Sequence, residues 1–200
     1  MNAPPLRLIL ASKSPRRRQL LADAGYTFIV HPADDRVESG VSDALEPDGL
    51  VRELAYRKAA DVAARFVSAA PDAPRAVVLG CDTIVECQGQ MLGKPADRAD
   101  ARRMLQVLRG QEHRVISGLC LWPTDQGEPL VDVASTTLRT DPLGNEQLDE
   151  YLAGDDWRGK AGAFGYQDRP GWVHVVEGSE SNVVGLPLEL LATMLGRLGF

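Results

Sequence analysis

Apolar and polar positions alternate along this chain with two different periods. A short apolar run at 8–10 (Leu8, Ile9, Leu10) leads straight into Ala11-Ser12-Lys13-Ser14-Pro15-Arg16-Arg17-Arg18. The run reads as a buried strand. Ser14 followed by Pro15 is the signature of a helix N-cap with proline at the first helical position, and the helix it opens stops at Gly25. Residues 26–30 read as a second strand. The polar segment 32–47 carries Asp34, Asp35, Glu38, Asp43 and Glu46 and reads as a loop. A long helix over 48–70 then has the apolar stripe Val51, Leu54, Ala55, Ala59, Val62, Ala63 and Phe66, and the segment 71–74 with its prolines ends it.

The second half continues the alternation. Residues 76–80 form a buried strand that 83–87 extend, Gln88-Gly89 turns the chain, and Met91-Leu92 returns. An amphipathic helix covers 99–109, with Ala101, Met104, Leu105 and Leu108 inward and Gly110 as its stop. Segments 114–122 and 129–139 alternate like a hairpin joined by Thr124-Asp125-Gln126-Gly127. A short helix over 146–152, a strand over 172–176 and a closing helix over 188–198, begun by Pro187, complete the pattern. The class this implies is mixed α/β (α+β), with helices around one sheet that has some antiparallel pairs. The chain reads as a single domain over 1–200, or one domain with two lobes.

Composition narrows the partners. The chain has 200 residues and a net charge of −6, which argues against a general binder of nucleic acid or of a membrane surface. Positive charge is instead local, as a small anionic ligand requires. No apolar stretch approaches membrane-spanning length, and the first residues lack the pattern of a secretory signal, so a cytoplasmic location is expected. Cys81, Cys87 and Cys120 have no paired spacing and read as reduced, small hydrophobes. His31, His113 and His174 are scattered, which disfavours a zinc site.

Five places fit structure poorly and chemistry well. Three arginines in a first helical turn oppose the helix dipole, whereas backbone N–H groups, Ser12, Ser14 and Arg16 together suit a phosphate. Asp82 interrupts the apolar run 77–85, and a carboxylate there is costly to desolvate unless paired or bound to metal. Gly80 nearby would let a ligand approach the backbone. Lys58 lies four residues after Leu54 and four before Val62, on the apolar stripe of the long helix; it either snorkels or serves a ligand. Lys94 follows the hairpin in Gly93-Lys94-Pro95, and Lys160-Ala161-Gly162-Ala163-Phe164-Gly165-Tyr166-Gln167 sets small residues around a Lys and a Gln. Cations in several segments, a helix N-terminus and carboxylates able to hold a divalent ion are the inventory a metal-bound polyphosphate needs.

Six ordered motifs resemble the Maf family: 11–17, Leu54-Ala55-Tyr56-Arg57-Lys58-Ala59, Gly80-Cys81-Asp82-Thr83-Ile84-Val85, Leu92-Gly93-Lys94-Pro95, 159–167, and Val184-Gly185-Leu186-Pro187. Together they span nearly the whole chain, from about 8 to 198. Cys81 stands where the family more often has Ala, and the segment 177–182 is unlike some members. The resemblance implies a nucleoside triphosphate pyrophosphatase. It also implies an elongated mixed sheet flanked by helices with a central cleft, similar to inosine triphosphate pyrophosphatases, and a homodimer. It implies Asp82 as general base. Ser12, Arg16, Lys58 and Lys94 would bind phosphate. Mg²⁺ or Mn²⁺ would be held by Asp82 with Glu38, or with Asp35. Arg16, Thr83 and Gln167 agree with the branch that takes dTTP and UTP; the 7-methyl-GTP branch tends to carry Trp, Gln and Glu there. The other readings are the same chemistry on 7-methyl-GTP or another modified nucleotide, and a nucleotide-sensing regulator of cell division, at septum formation, without relevant turnover.

Overall fold

The computed structural model describes residues 7–41, 45–66, 76–125, 127–168 and 171–199. Its elements are β1 (Arg7–Leu10), α1 (Pro15–Asp23), β2 (Phe28–Val30), α2 (Pro47–Phe66), β3 (Ala76–Cys87), β4 (Gln90–Leu92), α3 (Arg98–Leu108), β5 (Glu112–Pro123), β6 (Leu130–Thr140), α4 (Asn145–Ala153), β7 (Val173–Glu177), α5 (Glu180–Val184) and α6 (Leu188–Arg197). Three short 3₁₀ turns lie at Asp35–Glu38, Ala161–Ala163 and Tyr166–Asp168. The strands form a seven-stranded mixed sheet in the order β2-β1-β3-β5-β6-β7, with β4 paired to β3. β1 runs parallel to β2 and to β3, whereas β3–β4 and β6–β7 are antiparallel. The mixed α/β class read from the sequence is the one observed.

The chain divides into two compact units, and the division falls inside β3, β5 and β6. The first comprises Met1–Asp82, Ser117–Ala134 and Gly185–Phe200; the second comprises Thr83–Ile116 and Ser135–Val184. In the first unit the alternation of strand side chains builds two apolar faces. Leu8, Leu10, Val77, Leu79, Cys81, Leu119 and Leu121 pack with Leu21 of α1 and Leu191, Met194 and Leu195 of α6. Ile9, Ala11, Ala76, Val78 and Cys120 pack on the other side with Ala55, Ala59, Val62 and Ala63 of α2. Strands buried on both faces explain why these runs are almost continuously apolar.

The second unit has its own core. Val85, Cys87 and Leu92 of the β3–β4 hairpin meet Met104, Leu105 and Leu108 of α3, Leu148 and Leu152 of α4, Trp157 and Phe164. Gln88 and Gly89 both have positive φ, 53° and 79°, as a two-residue turn matched to the strand twist requires.

Three expectations change. The acidic segment 32–47 is not all loop, because Asp34 caps the 3₁₀ turn Asp35–Glu38 by accepting from Arg36 N. Residues 180–184, to which the sequence pattern assigned no element, form α5. Gly80 admits no ligand: a Cβ there would collide with the Ala55 carbonyl oxygen and lie 2.8 Å from Ala59 N. Gly118 of β5 meets Val51 of α2 in the same way. The two glycines let the helix backbone lie directly on the sheet. The expected end of the long helix, 67–74, and Asp43 lie outside the described residues. Among the described residues no helix is long and apolar enough to cross a membrane. Cys81, Cys87 and Cys120 are buried and free, and burial pushes the Cys120 thiol up to about 12.

Candidate active site

Because β1, β2 and β3 are parallel, the segments that leave their carboxyl ends lie at one edge of the sheet, the usual place for ligands in such sheets. Ser12 follows β1 by two residues. The turn Asp35–Glu38 follows β2. Asp82 lies three residues beyond Leu79, which pairs with Leu10. The close approach at Gly80 sets α2 against this part of β3, and Lys58 of α2 lies between Ala55 and Ala59, the residues that touch Gly80.

Lys58 is therefore neither snorkelling nor alone. Its side chain is 9% exposed, and its Nζ donates to Asp82 Oδ1 at 2.5 Å and to Glu38 Oε1 at 2.6 Å. Asp82 is 14% exposed and Glu38 49%. Of the two acidic residues left open by the sequence, Glu38 joins Asp82, while Asp35 is 84% exposed and pairs with Lys13 at 2.6 Å. The turn that carries Glu38 is fastened to α2 at both ends. Asp34 N donates to Asp61 Oδ2 at 3.0 Å, and Arg57 Nη1 donates to Ser39 O at 3.1 Å. The Arg36 guanidinium hydrogen-bonded to Asp34 holds that carboxyl well below the usual carboxylate range.

The start of α1 has the expected cap and an unexpected arginine. Ser14 accepts from Arg17 N at 3.4 Å, Pro15 is the first helical residue, and no acidic residue occupies the first turn. Ser12, 8% exposed, accepts from Ser14 N at 3.2 Å. Arg17 does not reach toward solvent for an anion. Its Nε donates to Gly185 O at 2.8 Å, and its Nη1 donates to Cys81 O at 2.8 Å and Ser12 Oγ at 3.2 Å. Arg18 donates to Lys13 O at 2.9 Å. Arg17 and Arg18 are thus used on oxygens of the protein itself; Arg16 is half-buried. Nothing in the local sequence separates Arg17 from Arg16, since two of its three acceptors are main-chain carbonyls far away in the chain.

The remaining candidates belong to the second unit. Thr83 is half-buried and immediately follows Asp82 in β3. Lys94 is exposed in the bend after β4. Gln167 is exposed in the turn Tyr166–Asp168. The small residues around it serve internal packing. Gly162 has φ 68° and faces Val85, and Lys160, 8% exposed, is paired with Asp168. Among the described residues there is no cluster of three or more His, Cys, Asp and Glu side chains arranged for a metal. Asp82 and Glu38 nevertheless converge on one cation, the Lys58 ammonium. Two carboxylates with further oxygens from a polyphosphate are what a Mg²⁺-type ion commonly uses. The donor set fits.

The mixed sheet with helices packed on it is a fold shared with a HAM1 protein from Coxiella burnetii. That structure superposes with a TM-score of 0.52 at 18% identity, over 96% of this chain and 100% of the other. The model of the Maf-like protein family matches residues 7–198, and the chain belongs to that family. A dTTP/UTP pyrophosphatase of Rhodopirellula baltica is 48% identical over 192 residues, 96% of this chain and 82% of the relative. One from Symbiobacterium thermophilum is 43% identical, over 97% and 95%.

Proposed function

We propose that this chain hydrolyses dTTP and UTP between the α and β phosphates, releasing the nucleoside monophosphate and pyrophosphate. The carrying observation is the Lys58 ammonium held by Asp82 and Glu38, in a chain whose relatives are named for this activity. Asp82 accepts the proton of the attacking water. Lys58, Ser12, Arg16 and Lys94 bind phosphate oxygens and offset the charge that develops on them. Lys58 exchanges a carboxylate for phosphate when substrate arrives. Asp82 and Glu38 would hold Mg²⁺ or Mn²⁺, which supplies Lewis-acid neutralisation of the phosphates. Thr83 and Gln167, with Arg16, contact or select the pyrimidine base. We place the protein in the cytoplasm as a homodimer.

The test is pyrophosphate release from UTP, dTTP, 7-methyl-GTP and ITP measured side by side, with Mg²⁺, Mn²⁺ or chelator. Turnover highest with UTP and dTTP, with monophosphate as co-product and loss under chelator, is the expected result. Preference for 7-methyl-GTP assigns the same chemistry to another base. Binding without pyrophosphate release replaces the enzyme with a nucleotide sensor. Light scattering checks the dimer.

A further inference from the structure

Gln167 stands between two anchored neighbours. On one side the Tyr166 hydroxyl donates to Glu180 Oε1 of α5 at 2.9 Å. On the other, Asp168 is paired with the buried ammonium of Lys160. The turn itself is only Tyr166–Asp168, closed by Asp168 N donating to Gly165 O at 3.2 Å. One turn of 3₁₀ helix has little stability of its own, so side chains must set its geometry. Gly165 belongs to the same device. Its N–H donates to the Tyr151 hydroxyl of α4 at 3.2 Å, and a Cβ there would collide with both the Asp168 carboxylate and the Lys160 ammonium. The fixed frame leaves the exposed Gln167 amide at its apex.

We propose that Tyr166 and Glu180 are positioning residues for base selection. Their hydrogen bond, opposite the Lys160–Asp168 pair, orients the turn that presents Gln167. This rests on the reading of Gln167 as a base-contacting residue. An amide that reads a base edge must offer donor and acceptor in fixed directions, and an unanchored, exposed side chain would lose that selectivity to its own rotational freedom. α5 thereby acquires a role in specificity although it supplies no group to the substrate.

The experiment compares kcat/KM for UTP and CTP, which share the triphosphate and ring size and differ in the hydrogen-bonding edge. Tyr166→Phe removes one hydroxyl and Glu180→Ala its acceptor. Each should lower the UTP/CTP preference about three- to tenfold, the usual range for one hydrogen bond, without a matching loss of thermal stability. Glu180→Gln keeps an acceptor oxygen and should keep the preference. In a Gln167→Ala background, Tyr166→Phe should change the ratio no further. If Gln167→Ala lowers the preference while Tyr166→Phe and Glu180→Ala do not, positioning by this pair is wrong and the reading of Gln167 stands. If Gln167→Ala leaves the ratio unchanged, both fall.

Discussion

Lys58 Nζ lies 2.5 Å from Asp82 Oδ1 and donates at the same time to Glu38, so one nearly buried ammonium compensates two carboxylates. Without that cation, Asp82 would face a second negative charge in a partly desolvated place. The arrangement holds both carboxylates close together on one positive charge.

Asp82→Asn keeps an oxygen for Lys58 and should fold normally. Its kcat should fall roughly 10²- to 10⁴-fold, the range for a lost general base, with thermal unfolding little changed. Turnover within a few-fold of the parent would remove Asp82 from proton transfer.

Lys58→Met tests the coupling of the pair. A lysine that merely snorkelled on an apolar stripe would be neutral or favourable to lose. Here the substitution strands two carboxylates and should destabilise by about 1–3 kcal/mol, less than a fully buried pair because Glu38 is half in water. Adding Asp82→Asn to Lys58→Met should recover part of that loss. Denaturant titration of the three variants reads the cycle, and strict additivity of the two single changes would refute the coupling.

Arg16 and Arg17 should separate cleanly. Arg17→Lys cannot span Cys81 O, Gly185 O and Ser12 Oγ with one ammonium, so it should lower stability by about 1–3 kcal/mol. Arg16→Ala should instead lower kcat/KM for UTP with little change in unfolding. The reverse assignment of losses would exchange their roles.

His113 should make stability pH-dependent. It is 2% exposed on β5, packs edge-on to Phe164 at 5.6 Å, and neither ring nitrogen has a hydrogen-bond partner among the described residues. Burial lowers its pKa from 6.5 to about 4. Between those values the unfolded chain binds a proton that the folded chain does not. The contribution is therefore complete above pH 6.5 and is lost as pH falls through about 4, on the order of 3 kcal/mol in all. His113→Leu should flatten the stability profile between pH 7 and 4.5, measured by urea unfolding at several pH values. An unchanged slope would mean His113 titrates normally.

Much of this protein was legible from its sequence, because burial writes a local pattern. The almost continuous apolar runs of β1 and β3, the 3.6-residue stripe of α2 and the Ser14-Pro15 cap each declare an element within a few residues. Asp82 and Lys58 stood out for the same reason, as charges inside patterns that otherwise exclude charge. Tertiary structure decided what those charges meet. Asp35 and Glu38 lie on one short turn and look equivalent in sequence. Only the way the turn is fastened to α2 sends Glu38 to Lys58 and Asp35 to Lys13. Arg17 finds carbonyl oxygens 64 and 168 residues away, and main-chain carbonyls are present at every residue, so no sequence signal marks the ones it will reach. Gly80 announced a close approach, but whether a ligand or a helix made that approach depended on the packing of α2 against β3. Local periodicity selects the elements because hydrophobic burial depends on which residues share a face; the partners of individual polar groups depend on distances that only the folded chain sets.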